Sequence, residues 1–201
     1  MEDVKTALLL SGGMDSTAIA YWKRPAVAIT IDYGQRAAVA ELRAAAAICD
    51  VLAIEHHIIQ ADLRALGSGD MAGTMPAAVA PVSEWWPFRN QMLVTLAAMK
   101  AVGIGVDAIQ IGTLRTDGMH TDGTPTFIAA MNALLQCQEG GIRLEAPAIV
   151  FSSAELIRES GVPPEILAWA HSCHVANEAC GECRGCRKHY ETLEDLGLAP
   201  Y

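Results

Sequence analysis

Ser11-Gly12-Gly13-Met14-Asp15-Ser16, set directly behind the apolar run Thr6-Ala7-Leu8-Leu9-Leu10, constrains this chain more than any other segment. The apolar run is long enough for one buried strand. Thr17-Ala18-Ile19-Ala20-Tyr21-Trp22 follows and reads as a largely apolar helix packed on a sheet. Gly12 and Gly13 let the backbone turn sharply and approach a ligand closely. A helix that starts at the carboxyl end of a strand offers unpaired N–H groups and a partial positive charge, which suits phosphate. The loop lacks the Gly-Lys-Ser/Thr ending of a Walker A motif and the Gly-x-Gly-x-x-Gly spacing of a dinucleotide fingerprint. A glycine turn with no ligand is the bland alternative, and the flanking serines and the aspartate weigh against it.

Strand and helix patterns alternate downstream. Strands are expected at 26–31, 53–59, 108–112 and 142–146, with helices at 37–48, 91–102, 126–136 and 153–160. Ser152 or Ser153 would cap the helix that ends before Gly161. Residues 67–82, rich in Gly, Ala, Met and Pro, read as a mobile loop, and residues 113–125 as a polar one. This order predicts a single α/β domain over residues 1–201, with a doubly wound, mainly parallel sheet. In such sheets ligands sit at the carboxyl ends of the strands, where Ser11–Ser16, Asp32 and Gly112 all fall.

Charge limits the partners. The formal net charge of −9 argues against a broad grip on nucleic acid but leaves a small nucleotide site open. The longest apolar region, 92–112, is broken by Lys100 and Asp107 and does not read as a membrane span. Glu2 and Asp3 stand where a secretory signal would carry positive charge, so a cytoplasmic protein with reduced thiols is expected.

Four of the six cysteines, Cys173, Cys180, Cys183 and Cys186, follow the spacing C-x6-C-x2-C-x2-C. Four thiolates at this spacing suit a closed structural zinc site within a C-terminal segment at 171–190. An iron–sulfur cluster uses similar ligands and is the rival. His171, His174 and His189 lie nearby in sequence, while Cys49 and Cys137 are expected as small core residues. The metal would pin a short irregular tail to the sheet.

The pattern Ser-Gly-Gly-x-Asp-Ser resembles the pyrophosphate loop of the ATP pyrophosphatase superfamily, whose fold is that of the adenine nucleotide alpha hydrolases. Together with Ile31-Asp32-Tyr33-Gly34-Gln35-Arg36, Phe88-Arg89-Asn90 and the cysteine segment, it makes the chain similar to the 7-cyano-7-deazaguanine synthase family over almost its whole length. The resemblance implies ATP, magnesium and zinc as cofactors, a deazapurine substrate, a homodimer, and attack of the substrate carboxylate on the α-phosphorus of ATP. Ammonia would then give an amide, and a second activation the nitrile.

The resemblance also assigns residues. Leu10, Ser11, Gly12, Gly13, Met14, Asp15, Ser16 and Thr17 would hold the phosphates, and Asp15 would help place magnesium. Asp32 and Tyr33 would border the adenosine. Arg89, Asn90, Gly112, Asp117 and Asp122 would contact the base, with Asp15, Ser16 and Asp122 carrying the chemistry. Trp85-Trp86 is expected as a core or interface pair rather than a base-stacking one.

Departures from the family pattern are informative. The family carries Tyr-Pro-Asp-Cys-Arg where this chain reads Met119-His120-Thr121-Asp122-Gly123-Thr124-Pro125. A family lysine is Ser153 here and a histidine is Ala37, so a positive charge is missing unless Arg115, Arg143 or Arg158 supplies it. The first reading is an ATP-dependent carbon–nitrogen ligase that makes the nitrile with ammonia. A second version joins the deazaguanine through an amide to a protein or other macromolecular amine, as in synthase-like proteins of antiviral defence. Transfer of sulfur or lysine to tRNA shares the phosphate loop but fits the acidic charge poorly. A degenerate nucleotide sensor is the non-enzymatic alternative, and pyrophosphate release separates it from the ligases.

Overall fold

The computed structural model describes residues 4–199. Five strands, β1 (Thr6–Leu9), β2 (Val27–Asp32), β3 (Glu55–Gln60), β4 (Ala108–Gln110) and β5 (Arg143–Glu145), form one sheet in the order β3-β2-β1-β4-β5. All four pairings are parallel. Strands buried on both faces read as continuous apolar runs: Val27–Ile31 of β2 and all of β4 are buried, whereas the edge strand β3 is half-exposed.

Helices cover both faces. On one lie α1 (Met14–Lys23), α2 (Ala38–Leu52), α5 (Ser153–Ser160), the short α6 (Pro164–Leu167) and α7 (Arg184–Leu196). Their core joins Leu8, Leu10, Ile19, Ile48, Leu156 and Leu193. On the other lie α3 (Arg89–Ile104) and α4 (Pro125–Gln136), packed through Ile29, Val94, Ile109, Met131 and Leu144. The doubly wound parallel sheet is thus as the sequence predicts.

Local chemistry sets the helix ends. Ser152 caps α5 by accepting from Glu155 N, while the Glu155 carboxylate accepts from Ser152 N at 2.7 Å. Such a reciprocal cap is worth about 1 kcal/mol. Gly161 closes the same helix in the left-handed region. Thr124 caps α4 ahead of Pro125.

The details depart from expectation in three places. Residues 67–82 contain no helix or strand, yet they are tied down: Asp70 N donates to Ser83 O at 2.8 Å, Ser83 Oγ to Asp70 Oδ2 at 2.6 Å, and Met71 is buried. Cys49 is in the core, but Cys137 is exposed, because α4 ends at Gln136 and turns its C-cap to solvent. The helices α6 and α7 are additional to those read from the sequence. Among the described residues no helix is long and apolar enough to cross a membrane.

Candidate active site

Between β1 and β4 the chain leaves the sheet in opposite directions, and this topological switch point opens a crevice at the carboxyl ends of the strands. A cavity of about 310 Å³ occupies it, lined by Ser11, Gly13, Asp15 and Ser16 from the β1 side and Gly112 and Thr113 from the β4 side.

The loop is preorganised from within. Gly12 sits at φ +76°, where a Cβ would lie 2.7 Å from Glu41 O, so turn and packing both demand glycine. Ser11 Oγ accepts from Gly13 N at 3.3 Å and lies 3.2 Å from Ser16 Oγ. Ser16 Oγ and Thr17 Oγ1 both donate to Gly13 O, at 3.0 and 2.8 Å. Gly13 caps α1 without a side-chain bond, which leaves the first-turn amides for another acceptor.

Four buried polar atoms on residues lining this cavity have no hydrogen-bond partner: Asp15 Oδ1, Thr113 Oγ1, Ser153 Oγ and, on the cysteine segment, His174 Nδ1. Buried polar groups are normally paired. Two hydroxyls and a carboxylate oxygen left open around a glycine loop fit a phosphate chain with a magnesium ion, the hydroxyls donating to phosphate and the carboxylate facing the metal.

The expected phosphate and adenosine residues divide. Leu10, Ser11, Gly13, Met14, Asp15 and Ser16 line the cavity, whereas Gly12 and Thr17 support the loop from behind. Tyr33 reaches the cavity, buried and edge-on to Trp86 with ring centroids 4.9 Å apart. Burial raises its phenol pKa well above the ordinary range. Asp32 does not line the cavity; its Oδ1 accepts from Gly34 N at 3.0 Å and shapes the turn. Trp86 is a core residue, as expected of that pair.

Arg89, Asn90, Gly112 and Asp117 also line the cavity, but Asp122 does not. Its Oδ2 accepts from Asn90 N at 3.1 Å and its carbonyl from Asn90 Nδ2 at 2.9 Å. Phe88, the α3 N-cap, is in the left-handed region with no side-chain cap bond, so Asp122 performs that service from another loop.

The cavity holds groups that the sequence did not single out. Lys188 Nζ, from α7, donates to Asp15 Oδ2 at 2.9 Å and Asp117 Oδ1 at 3.1 Å. Burial disfavours its charged form, but the two carboxylates outweigh this and raise its pKa. Glu84 accepts from Arg184 Nη1 at 2.9 Å and lies 3.7 Å from His120 Nε2. Burial works against the Glu84 carboxylate, yet His120, its own backbone N–H and Arg184 together hold it down at about 2. Gly185, Lys188 and Thr192 recur at helical spacing along the face of α7 that borders the cavity. That periodicity was the available signal for Lys188.

None of the three arginines considered as substitutes for the missing charge lines the cavity. Arg115 pairs outward with Glu155 at 2.9 Å, Arg143 is exposed at the start of β5, and Arg158 donates to Asp195 O.

The four cysteines converge. Cys173, Cys180, Cys183 and Cys186 bring their Sγ atoms within 4.8 Å of one another, with Cys173–Cys183 and Cys180–Cys186 both at 3.9 Å. The backbone amides of Cys183 and Glu182 lower the Cys180 thiol to about 6, while burial pushes Cys186 up to about 12. Four clustered thiols of this kind are a metal site by donor chemistry. His171, His174 and His189 stand outside that set. The segment is tied to the phosphate loop, since His171 N donates to Gly12 O at 2.8 Å.

Comparison with known proteins agrees with this geometry. Residues 5–197 match the family described as queuosine biosynthesis protein QueC. A 7-cyano-7-deazaguanine synthase of Stutzerimonas stutzeri is 31% identical over 99% of this chain and 97% of its own length. That of Methanocaldococcus jannaschii is 29% identical over 97% of both chains, and that of Thiobacillus denitrificans 34% identical over 96% and 94%. Among solved structures, the U34-tRNA thiolase NcsA of Methanococcus maripaludis, with its [4Fe-4S] cluster, superposes with a TM-score of 0.53 at 18% identity. The match covers 96% of this chain and 66% of that longer one, and it speaks to the fold alone.

Proposed function

The chain belongs to the queuosine biosynthesis protein QueC family, and from that premise we propose that it is an AMP-forming carbon–nitrogen ligase acting on 7-carboxy-7-deazaguanine. The observation that carries the reading is the set of open polar atoms, Asp15 Oδ1, Thr113 Oγ1 and Ser153 Oγ, around a preorganised glycine loop at the switch point.

In this reading Ser11, Gly13 and Ser16 bind the phosphate chain, and Asp15 and Asp117 hold magnesium, which offsets phosphate charge when bound. Tyr33 borders the nucleotide, while Arg89 and Asn90 orient the deazapurine. The substrate carboxylate attacks the α-phosphorus, the bond to the β-phosphate oxygen breaks, and pyrophosphate leaves. Ammonia then displaces AMP to give the amide. A second ATP adenylates the amide oxygen with release of pyrophosphate, and AMP leaves with that oxygen as the nitrogen loses its two protons, giving 7-cyano-7-deazaguanine. Donors fixed before reaction stabilise the charge that develops on phosphorus without reorganising.

Zinc is our choice for the four thiolates. A single tetrahedral ion with Zn–S bonds of about 2.3 Å sets its sulfurs roughly 3.8 Å apart, close to the two 3.9 Å separations. A [4Fe–4S] cluster puts each thiolate on its own iron and spreads them further.

One observation favours the second version, transfer to a macromolecular amine. The loop after β4 lacks the family's Tyr-Pro-Asp-Cys-Arg segment, its surviving Asp122 faces α3, and Met119 is exposed. A dimer, a cytoplasmic location and a role in defence belong to the same set of proposals. Incubation with 7-carboxy-7-deazaguanine, ATP and ammonium, with acid, amide and nitrile resolved by mass, tests the reading. Nitrile supports the synthase, amide that stays amide favours the conjugating version, and unchanged acid contradicts both.

A further inference from the structure

Two carboxylates, Asp15 and Asp117, face the phosphate loop and share one cation. That leaves the loop's own charge at minus one before any phosphate arrives. The other lysine and arginine side chains lining the cavity are committed elsewhere: Arg184 to Glu84, and Arg89 against Met71 on the side of Tyr33. An ammonium has three donors, and the two carboxylates occupy two of those of Lys188.

Resting on the nucleotide reading above, we propose that Lys188 is the phosphate-binding cation of this site, carried into it by the metal-bearing segment. Its ammonium turns from Asp15 and Asp117 to the phosphate chain, which frees the carboxylates to face magnesium. The task needs little movement, because Lys188 already touches the residue whose Oδ1 stands open beside the loop.

Placement of the lysine depends on how α7 begins. Cys183 is its N-cap and Cys186 lies in its first turn, two residues before Lys188. Gly185 lets this turn press against the preceding strand of chain, since a Cβ there would meet Ser172 O at 1.9 Å. Ser172 Oγ lies 2.9 Å from His189 Nδ1 and adds a second tie. The metal cluster and the phosphate loop are therefore joined through one helical turn.

The test is calorimetric titration of the metal-loaded protein with α,β-methylene-ATP and with adenosine. Lys188→Met and Lys188→Arg are compared with wild type, and metal content and circular dichroism are recorded for each. A lost charge-assisted contact is expected to weaken Lys188→Met binding of the triphosphate analogue by about tenfold or more. Adenosine affinity should hold within about twofold, and Lys188→Arg should recover most of the loss. Equal analogue binding by wild type and Lys188→Met, or equal loss of analogue and adenosine, overturns the assignment while leaving the nucleotide reading intact. Failure of wild type to bind the analogue overturns that reading, and the assignment with it.

Discussion

Lys188 Nζ lies 2.9 Å from Asp15 Oδ2, although the two residues are 173 positions apart in the chain. One belongs to the first helix after β1 and the other to α7, whose N-cap and first turn hold the last two of the four cysteines. The contact joins the glycine loop to the four-cysteine segment, so that segment forms a wall of the cavity. Two further contacts, His171 N on Gly12 O and Lys188 on Asp117, repeat the connection.

Loss of the metal should therefore be felt in the loop. Elemental analysis is expected to find about one zinc per chain. Cys183→Ser should lose it, lower the melting temperature and weaken nucleotide binding together. Iron with labile sulfide, or a protein that keeps its stability without any metal, would contradict this.

Gly12→Ala should be costly for backbone reasons alone. The new Cβ would sit 2.7 Å from Glu41 O at a φ of +76°, a combination expected to destabilise by about 1–3 kcal/mol. Urea unfolding measures the loss. A stability change below about 0.5 kcal/mol would show that the loop yields where the structure holds it tight.

Much of the architecture was legible from the residue pattern, for identifiable reasons. Val27–Ile31 is almost wholly apolar and buried on both faces because β2 is interior, with Thr30 its one polar residue, and Ser152, Glu155 and Gly161 mark both ends of α5. The four cysteines were legible from spacing alone. Lys188 was not, because α7 carries its buried positions on Gly185, Cys186, Thr192 and Leu193, only one of them a large apolar residue. Asp122 was legible as a site residue only by analogy. Its carboxylate points to the start of α3, a long-range cap between residues 32 positions apart that no local pattern announces.

That cap makes a kinetic prediction. Asp122→Ala removes the acceptor for Asn90 N and should let the start of α3 shift, at a cost of about 1 kcal/mol. Arg89 and Asn90 line the cavity from that turn. KM for the deazapurine is expected to rise several-fold while ATP affinity changes little. Equal loss of both, or of neither, would show that this cap does not position Arg89 and Asn90 for the deazapurine.

Stability should also depend on Glu41. Burial raises its carboxyl from 4.5 to about 6, although Gln35 Nε2 donates to it at 2.7 Å. The folded protein then binds more protons than the unfolded chain between about pH 4.5 and 6. Stability from this group accordingly falls as the pH rises through that window, by at most about 2 kcal/mol. Glu41→Gln keeps an acceptor for Gln35 and should flatten the fall. Unfolding free energies at pH 5 and 7.5 that differ equally in both proteins would contradict the assignment.

If the loop at Ser11–Ser16 serves to activate a carboxylate with ATP, pyrophosphate and AMP are the products to follow. Wild-type protein given ATP, magnesium, ammonium and 7-carboxy-7-deazaguanine should release both in step with loss of the base. Asp15→Asn, folded and with its metal retained, should do so about a hundredfold more slowly or worse. Wild type that releases no pyrophosphate, or Asp15→Asn that turns over unchanged, would contradict the account.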